Sequence, residues 1–169
     1  MLPAMPAAPT SPAPADRELR VEASIAAPPE RVWEALADVS RMGEWSPELV
    51  TMLPLKRGGL RVGQWYLGIN RRKAVVWPTR SVVAVVETGR VLAWDTRSSG
   101  ARWIWEISAE DTAATTTRVV HRRPVPGSLT LVSKVFAPAF LGGTAAHADE
   151  LEAGMATTVA RLKASVEGA

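Results

Sequence analysis

The sequence predicts an α+β domain in which a curved antiparallel sheet of about seven strands wraps around a long C-terminal helix. Three observations predict this fold. One strand and two short helical segments open the folded part of the chain, residues 48–124 resemble six further strands joined mostly by short turns, and residues 144–169 repeat apolar side chains at helical spacing. A curved sheet leaves a space against the helix, and we expect an internal ligand cavity there.

Composition excludes several classes of protein. The 169 residues suffice for one domain with a core, and 47% of them are hydrophobic. The chain has no apolar run near the ~18 residues of a membrane span, and its net charge of +3 is a weak nucleic-acid signal. It has no cysteine, only two histidines and no HExxH motif. We expect a cytoplasmic protein with no cofactor, no metal, no nucleic-acid partner and no membrane insertion.

Residues 1–16 differ in composition from the rest of the chain. They contain five of the thirteen prolines, many alanines and no aromatic residue. Such a segment cannot bury enough apolar surface to become ordered. We therefore predict a disordered tail at residues 1–16 and a single domain at residues 17–169.

The first elements are identified by their periodicity. In "RELRVEASIAA" the apolar residues alternate with polar ones, which predicts a half-buried strand. "APPERVWEALADV" begins with a proline pair and continues at helical spacing. "SRMGEWSPE" predicts a second short helix that ends before Pro47. Here Gly43 allows a tight turn, Trp45 closes one end of the cavity, and Glu44 and Glu48 lie in water.

The remaining elements follow in order. Six strands are predicted in "ELVTMLPL", "RVGQWYLGINRR", "AVVWPTRSVVAVVE", "VLAWDTR", "ARWIWEIS" and "TTRVVHRRPV". "GSLTLVSKVFAPAFLGG", residues 127–143, predicts a short helix interrupted by Pro138. The long helix that follows has one apolar face, made of His147, Leu151, Met155, Val159, Leu162 and Val166.

Several of these segments together resemble a known family. "APPERVWEALADV", "RMGEWSPE", "INRR", "ETGRVLAW", "ARWIWEI", "TTRV" and "GMATTVARLK" occur in the order found in the polyketide cyclase/dehydrase branch of the SRPBCC (START-like) superfamily. The resemblance covers roughly residues 18–166. It implies the helix-grip fold and a deep cavity for an apolar or aromatic small molecule. It does not imply a single reaction, because the superfamily includes cyclases, lipid carriers and receptors.

Strand alternation predicts which side chains face the cavity. On this basis Trp77, Thr79, Ser81, Val83, Leu92, Trp94, Thr96, Trp103, Trp105, Ile107, Val119, His121 and Arg123 point inward, and the family pattern adds Tyr66, Gly68 and Asn70. Inward tryptophans either form core or contact ligand. The predicted ligand-binding residues are Trp45, Asn70, Trp77, Ser81, Trp94, Trp103, Trp105, Arg123 and Met155.

Three residues are candidates for catalysis. An imidazole titrates near neutral pH, so His121 and His147 are able to give or take a proton in a cavity. Tyr66 is a candidate donor to a ligand oxygen, and Arg123 and Asn70 are able to orient a carbonyl or phenolate oxygen. Each of these residues has a purely structural alternative, as a satisfied core group or a hydrogen bond at the cavity rim.

One face departs from the family pattern. Trp65, Leu67 and Ile69 point outward on the third strand, where relatives carry arginines, and Ile104 is also outward. An apolar stripe outside a sheet predicts a covered surface. We expect a homodimer through Trp65, Leu67 and Ile69, or a cover provided by the Pro/Ala-rich tail.

Two functions fit these patterns, and a third is weaker. The first is a cyclase or dehydratase of secondary metabolism that positions a polyketide-like or aromatic intermediate and moves a proton with His121. The second is a non-catalytic carrier or sensor of a hydrophobic metabolite. The third is an accessory subunit that docks through the outward apolar stripe.

Overall fold

The computed structural model describes residues 17–124 and 144–169, with side chains of the terminal helix described from Ala148 onward. In this part of the chain seven antiparallel strands form one sheet in the order β1-β7-β6-β5-β4-β3-β2. They are β1 (Leu19–Ile25), β2 (Leu49–Pro54), β3 (Trp65–Arg72), β4 (Val75–Glu87), β5 (Val91–Thr96), β6 (Ala101–Ala109) and β7 (Thr117–Arg123). The predicted sheet is confirmed.

The helices also follow the prediction. Helix α1 (Pro29–Ala37) and, after a 3-10 turn at Val39–Arg41, helix α2 (Met42–Trp45) connect β1 to β2. The long helix α3 spans Thr144–Glu167. The predicted tail at residues 1–16 and the predicted short helix at 127–143 lie outside the described residues. No helix within the described ranges is long and apolar enough to cross a membrane.

Helix α1 forms because its sequence combines a good start with one apolar face. Pro29 occupies the first turn, where its missing N–H costs no hydrogen bond. Val32, Ala35 and Leu36 then lie buried on the same side. This face anchors α1 to the domain core.

Helix α2 turns the chain sharply into the edge strand β2. A Cβ atom on Gly43 would clash with the carbonyl oxygen of Val50, so only glycine permits this approach of two backbones. Ser46 is extended because it precedes Pro47, and its Oγ accepts the N–H of Leu49 at 3.1 Å. The turn brings the next residues back toward α3.

The sheet bends at two irregularities in strand pairing. One lies between Val83 and Val85 in β4, and the other lies between Leu49 and Thr51 in β2. Such bulges bend a strand and increase its twist. On α3 the apolar residues Met155, Val159, Leu162 and Val166 are buried, as the helical spacing predicts. The space enclosed by sheet and helix is the setting of the site.

The outer face of β5, β6 and β7 carries ion pairs. Arg102 Nε donates to Asp95 Oδ1 at 2.6 Å, and Arg122 Nη2 donates to Glu106 Oε1 at 2.6 Å. These charged residues point outward, as alternation predicts, so Trp94, Trp103 and Trp105 point inward.

Candidate ligand-binding site

A cavity of about 190 Å³ lies between the sheet and helix α3. An apolar cavity of roughly 150 Å³ holds a benzene ring, so this space is on the scale of a small aromatic body. The predicted residues that line it are Asn70, Trp77, Ser81, Trp94, Trp103, Trp105, His121, Arg123 and Met155. Their side chains come from β3, β4, β5, β6, β7 and α3.

Aromatic rings form one wall of the cavity. Strand pairing sets Trp94 opposite Trp103 and sets Trp105 opposite His121. The imidazole of His121 is nearly parallel to both neighbouring indoles, at 12° to Trp105 and 21° to Trp103. Because the imidazole stacks face to face with Trp105, these rings cover one another's faces and form a polarisable part of the cavity wall.

His121 is held in one tautomer. Its Nδ1 lies 3.1 Å from the carbonyl oxygen of Ile104, and a carbonyl only accepts, so Nδ1 carries the proton. The other ring nitrogen, Nε2, therefore keeps its lone pair. The side chain is buried and forms part of the cavity wall.

Burial changes the acid–base behaviour of His121. Loss of hydration lowers its pKa from 6.5 to about 4, and the hydrogen bond to Ile104 offsets only part of that effect. The sequence expectation of an imidazole that titrates near neutrality is therefore wrong in the folded protein. At neutral pH His121 is a neutral acceptor rather than a proton donor.

Arg123 lies two residues further along the same strand face. Its side chain is buried at 5% exposure, and its guanidinium carbon lies 5.3 Å from the ring centroid of Trp103. Burial lowers its pKa to about 10, while Glu48 acts in the opposite direction. Arg123 thus remains a cation at neutral pH.

Acidic and basic residues meet at the mouth of the cavity. Arg72 at the end of β3 forms an ion pair with Glu150 on α3, and Glu48 lies beside them on the cavity wall. Burial raises the pKa of Glu48, and the charge of Arg72 lowers it in part. The expectation that Glu48 lies in water is wrong, because the turn after α2 folds it against α3.

Sequence reasoning missed the acidic residues of the mouth. Glu48 follows Pro47 in an irregular connection, where no periodicity assigns a direction to a side chain. The position of Glu150 could have been inferred from the sequence. It precedes Gly154 by one helical turn and lies at the edge of the predicted apolar face. Both Glu150 and Gly154 line the cavity.

A polar shelf on β3, β4 and β5 faces the aromatic wall. Asn70 Nδ2 donates to Thr79 Oγ1 at 3.0 Å, and the hydroxyls of Ser81 and Thr96 are hydrogen-bonded at 3.1 Å. A Cβ atom on Gly68 would lie 2.7 Å from Thr79 Oγ1. The absence of a side chain at Gly68 therefore preserves this part of the cavity.

Three predicted residues are not placed on the described cavity wall. Trp45 is 1% exposed and packs in the apolar core, with the Arg41 guanidinium 5.5 Å from its ring centroid. Tyr66 also lies in that core, and burial raises its pKa. His147 belongs to the first turn of α3, where side chains are outside the described part of the structure. The roles predicted for Trp45, Tyr66 and His147 stay predictions.

The described residues also show whether the chain groups metal ligands together. Among the residues that the structure describes, no group of three histidine, aspartate or glutamate side chains is placed to hold a metal ion.

The domain has the helix-grip fold. A curved antiparallel sheet wraps around a long helix, and an aromatic cavity lies between them. The chain belongs to the family described as polyketide cyclase/dehydrase and lipid transport, whose model matches residues 16–167. No curated protein sequence matches the chain.

Solved structures share the fold at low sequence identity. The Zhui aromatase/cyclase from a Streptomyces species is 21% identical, with a TM-score of 0.66 over 89% of this chain and 93% of that one. A Polyketide_cyc-like protein from Corynebacterium glutamicum is 24% identical, with a TM-score of 0.57 and coverage of 89% and 93%. A Thermus thermophilus protein is 15% identical, with a TM-score of 0.62 and coverage of 90% and 98%.

Proposed function

We propose that this protein binds an apolar or aromatic, polyketide-like small molecule in its cavity and acts on it as a cyclase or dehydratase. Membership of the polyketide cyclase/dehydrase family supports the substrate class. The aromatase/cyclase named among the similar structures supports the type of reaction. The proposal includes no nucleic-acid partner.

The observation that carries the proposal is the tautomer of His121. Because Nδ1 donates to Ile104, the lone pair of Nε2 is the free basic site of a ring on the cavity wall. With a pKa of about 4, the imidazole is neutral at pH 7. It needs no prior deprotonation before it accepts a proton from a ligand.

The proposed step is an intramolecular condensation. Nε2 of His121 takes a proton from a carbon between two ligand carbonyls, and the electron pair of that C–H bond forms an enolate. The enolate carbon attacks a third carbonyl of the ligand, and the resulting alkoxide takes the proton back from His121 to become a hydroxyl group. His121 then removes the remaining proton of the attacking carbon and passes it to the departing hydroxide, so the C–O bond breaks, a C=C bond forms and water leaves. The cation of Arg123 favours the negative charge that develops on oxygen, and the aromatic wall holds the chain in its folded form.

The test uses a synthetic poly-β-ketone thioester mimic and follows the aromatic product by absorbance and mass spectrometry. The wild type is expected to accelerate cyclisation above the rate in buffer. His121→Phe keeps a ring against Trp105 but removes Nε2, and should lower the rate by roughly a hundred-fold or more. Arg118→Ala, on the outer face of the same strand, is the control. Unchanged turnover in His121→Phe contradicts the catalytic role.

A second function is favoured by one specific observation. A base with a pKa of about 4 is weak, and no second acid or base contacts His121 among the described residues. The same wall also suits a non-catalytic carrier or sensor of a hydrophobic metabolite. Ligand-dependent quenching of tryptophan fluorescence without any product supports this alternative, and native mass spectrometry of the purified protein identifies the co-purified ligand.

We also propose a homodimer through the outer face of β2, β3 and β4. Apolar residues pair across these strands, with Leu53 opposite Leu67, Pro78 opposite Ile69 and Val82 opposite Trp65. Leu53 is 49% exposed and the nearby Val76 is 60% exposed. Arg80, opposite Leu67, interrupts this surface, and the apolar residues around it favour a protein contact.

Light scattering on the full chain tests the dimer. The wild type is expected at twice the monomer mass and Leu67→Glu at the monomer mass, with Ser108→Glu on the outer face of β6 as a control for added charge away from that surface. A monomeric wild type contradicts the dimer. If removal of residues 1–16 from a monomer then lowers its solubility, the tail is the cover instead.

A further inference from the structure

Arg123 is a buried cation, and no counterion among the described residues is in contact with it. Neither a hydrogen bond nor an ion pair joins it to another residue in the described part of the chain, and its Nε is fully buried without a partner there. Buried charges in proteins are costly unless they are paired. The ring of Trp103 compensates only part of the lost hydration.

The neighbouring charges do not neutralise Arg123. Arg72 and Glu150 neutralise one another in an ion pair. Glu48 is close enough to act on Arg123 electrostatically, yet no ion pair within 4.0 Å joins them. The ring of His121 carries no charge at neutral pH. On the cavity wall the guanidinium of Arg123 therefore lacks an acceptor among the residues that the structure describes.

We infer that Arg123 binds the carboxylate of an aromatic acid whose ring body lies along Trp103 and Trp105. A guanidinium presents its N–H groups in a planar fork that matches a carboxylate with two parallel hydrogen bonds. The inference rests on the proposed ligand-binding function and narrows its carrier or sensor form to an anionic ligand class, because a carboxylate paired with Arg123 would occupy the cation that the cyclisation step uses.

The placement of Arg123 makes this match selective. It adjoins the aromatic wall, because Trp103 lies under its guanidinium and His121 shares its strand face. A flat ring against these residues carries its carboxylate to the guanidinium. A neutral ester of the same ring fills the same space but leaves the cation unpaired, so it binds less tightly.

Matched ligands separate charge from shape. Isothermal titration calorimetry at pH 7.5 compares naphthalene-2-carboxylate with its methyl ester. The wild type is expected to bind the acid about ten-fold or more tightly than the ester. Arg123→Gln should lose that preference, with weaker binding of the acid and unchanged binding of the ester. Arg123→Lys should retain part of it.

A second variant, which should strengthen binding of the acid, keeps the test decisive if Arg123→Gln misfolds. Glu48→Gln removes the nearby negative charge, so it should tighten binding of the acid several-fold and leave the ester unchanged. If Arg123→Gln fails to fold, Glu48→Gln still decides. Equal affinity of the wild type for acid and ester, or equal loss of both in Arg123→Gln, overturns the inference while the ligand-binding function stands. Failure of the wild type to bind either compound counts against that function itself.

Discussion

The imidazole of His121 lies flat on the indole of Trp105, with ring centroids 3.8 Å apart and planes inclined by 12°. The contact arises because β6 and β7 place the two residues directly opposite one another. It removes water from one face of the imidazole while Ile104 holds Nδ1. The relationship explains both the neutral state of His121 and the fixed direction of its lone pair.

The buried imidazole should make stability depend on pH. Its pKa is about 4 in the folded protein and 6.5 as the ordinary value, so the unfolded chain binds more protons between these limits. Stability is then complete above pH 6.5 and falls as the pH drops toward 4. Between pH 7 and pH 5 we expect a loss of about 2 kcal/mol in the free energy of unfolding, measured by urea denaturation.

His121→Gln supplies the reference for that measurement. It removes the titrating ring and keeps the carboxylates that titrate at lower pH, so the difference between the two proteins isolates His121. A slope that is identical in wild type and His121→Gln between pH 7 and pH 5 would contradict the lowered pKa.

Tryptophans in the core and on the cavity wall should respond differently to truncation. Trp45→Ala leaves a hole in the apolar core and should lower the free energy of unfolding by about 3–5 kcal/mol. Trp103→Ala removes a half-buried ring from the cavity wall, so its stability loss should be smaller. Affinity for methyl naphthalene-2-carboxylate should fall in Trp103→Ala and stay unchanged in Trp45→Ala. Equal affinity losses in the two variants would contradict this division.

A methyl group at Gly68 should disturb the polar shelf. The new Cβ would lie 2.7 Å from Thr79 Oγ1, so Gly68→Ala is expected to lower the melting temperature and weaken ligand binding. Thr79→Ala removes the clashing hydroxyl, and the double variant should recover most of the melting temperature lost by Gly68→Ala. Strict additivity of the two substitutions in calorimetric scans would refute the contact.

The ion pair between Arg102 and Asp95 on the outer face should contribute little to the free energy of unfolding. Arg102 holds the pKa of Asp95 below its ordinary value through a hydrogen-bonded pair, but both side chains are partly exposed. Asp95→Asn should therefore cost less than about 1 kcal/mol of stability, and that cost should shrink in high salt. Denaturation with and without added salt measures it, and a salt-independent loss of several kcal/mol would disprove this.

Local periodicity predicted a large part of the site. Alternation along β6 turns Trp103 and Trp105 to one side, and alternation along β7 does the same for His121 and Arg123. Successive side chains of a strand point to opposite faces, so one charged outward residue orients its neighbours. The outward stripe of Trp65, Leu67 and Ile69 followed instead from the family pattern, which places Tyr66, Gly68 and Asn70 inside.

Periodicity does not report how deeply an inward residue is enclosed. Tyr66 and Gly68 lie on one face of β3, yet only Gly68 lines the cavity, because Tyr66 packs into the core. Trp45 and Glu48 lie three residues apart around one turn. Trp45 is in the core and Glu48 lines the mouth of the cavity. This difference depends on where α3 meets that turn.

The sequence by itself determined the order of strands and helices, the family and the inward wall of aromatic residues, because each depends on short-range spacing along the chain. Only the tertiary structure decided the protonation of His121, the lack of a partner for Arg123 among the described residues, and the meeting of Glu48, Arg72 and Glu150. A side chain's pKa and partners depend on burial and on groups brought from distant segments. Those distances exist only once β3, β7 and α3 have closed around the cavity.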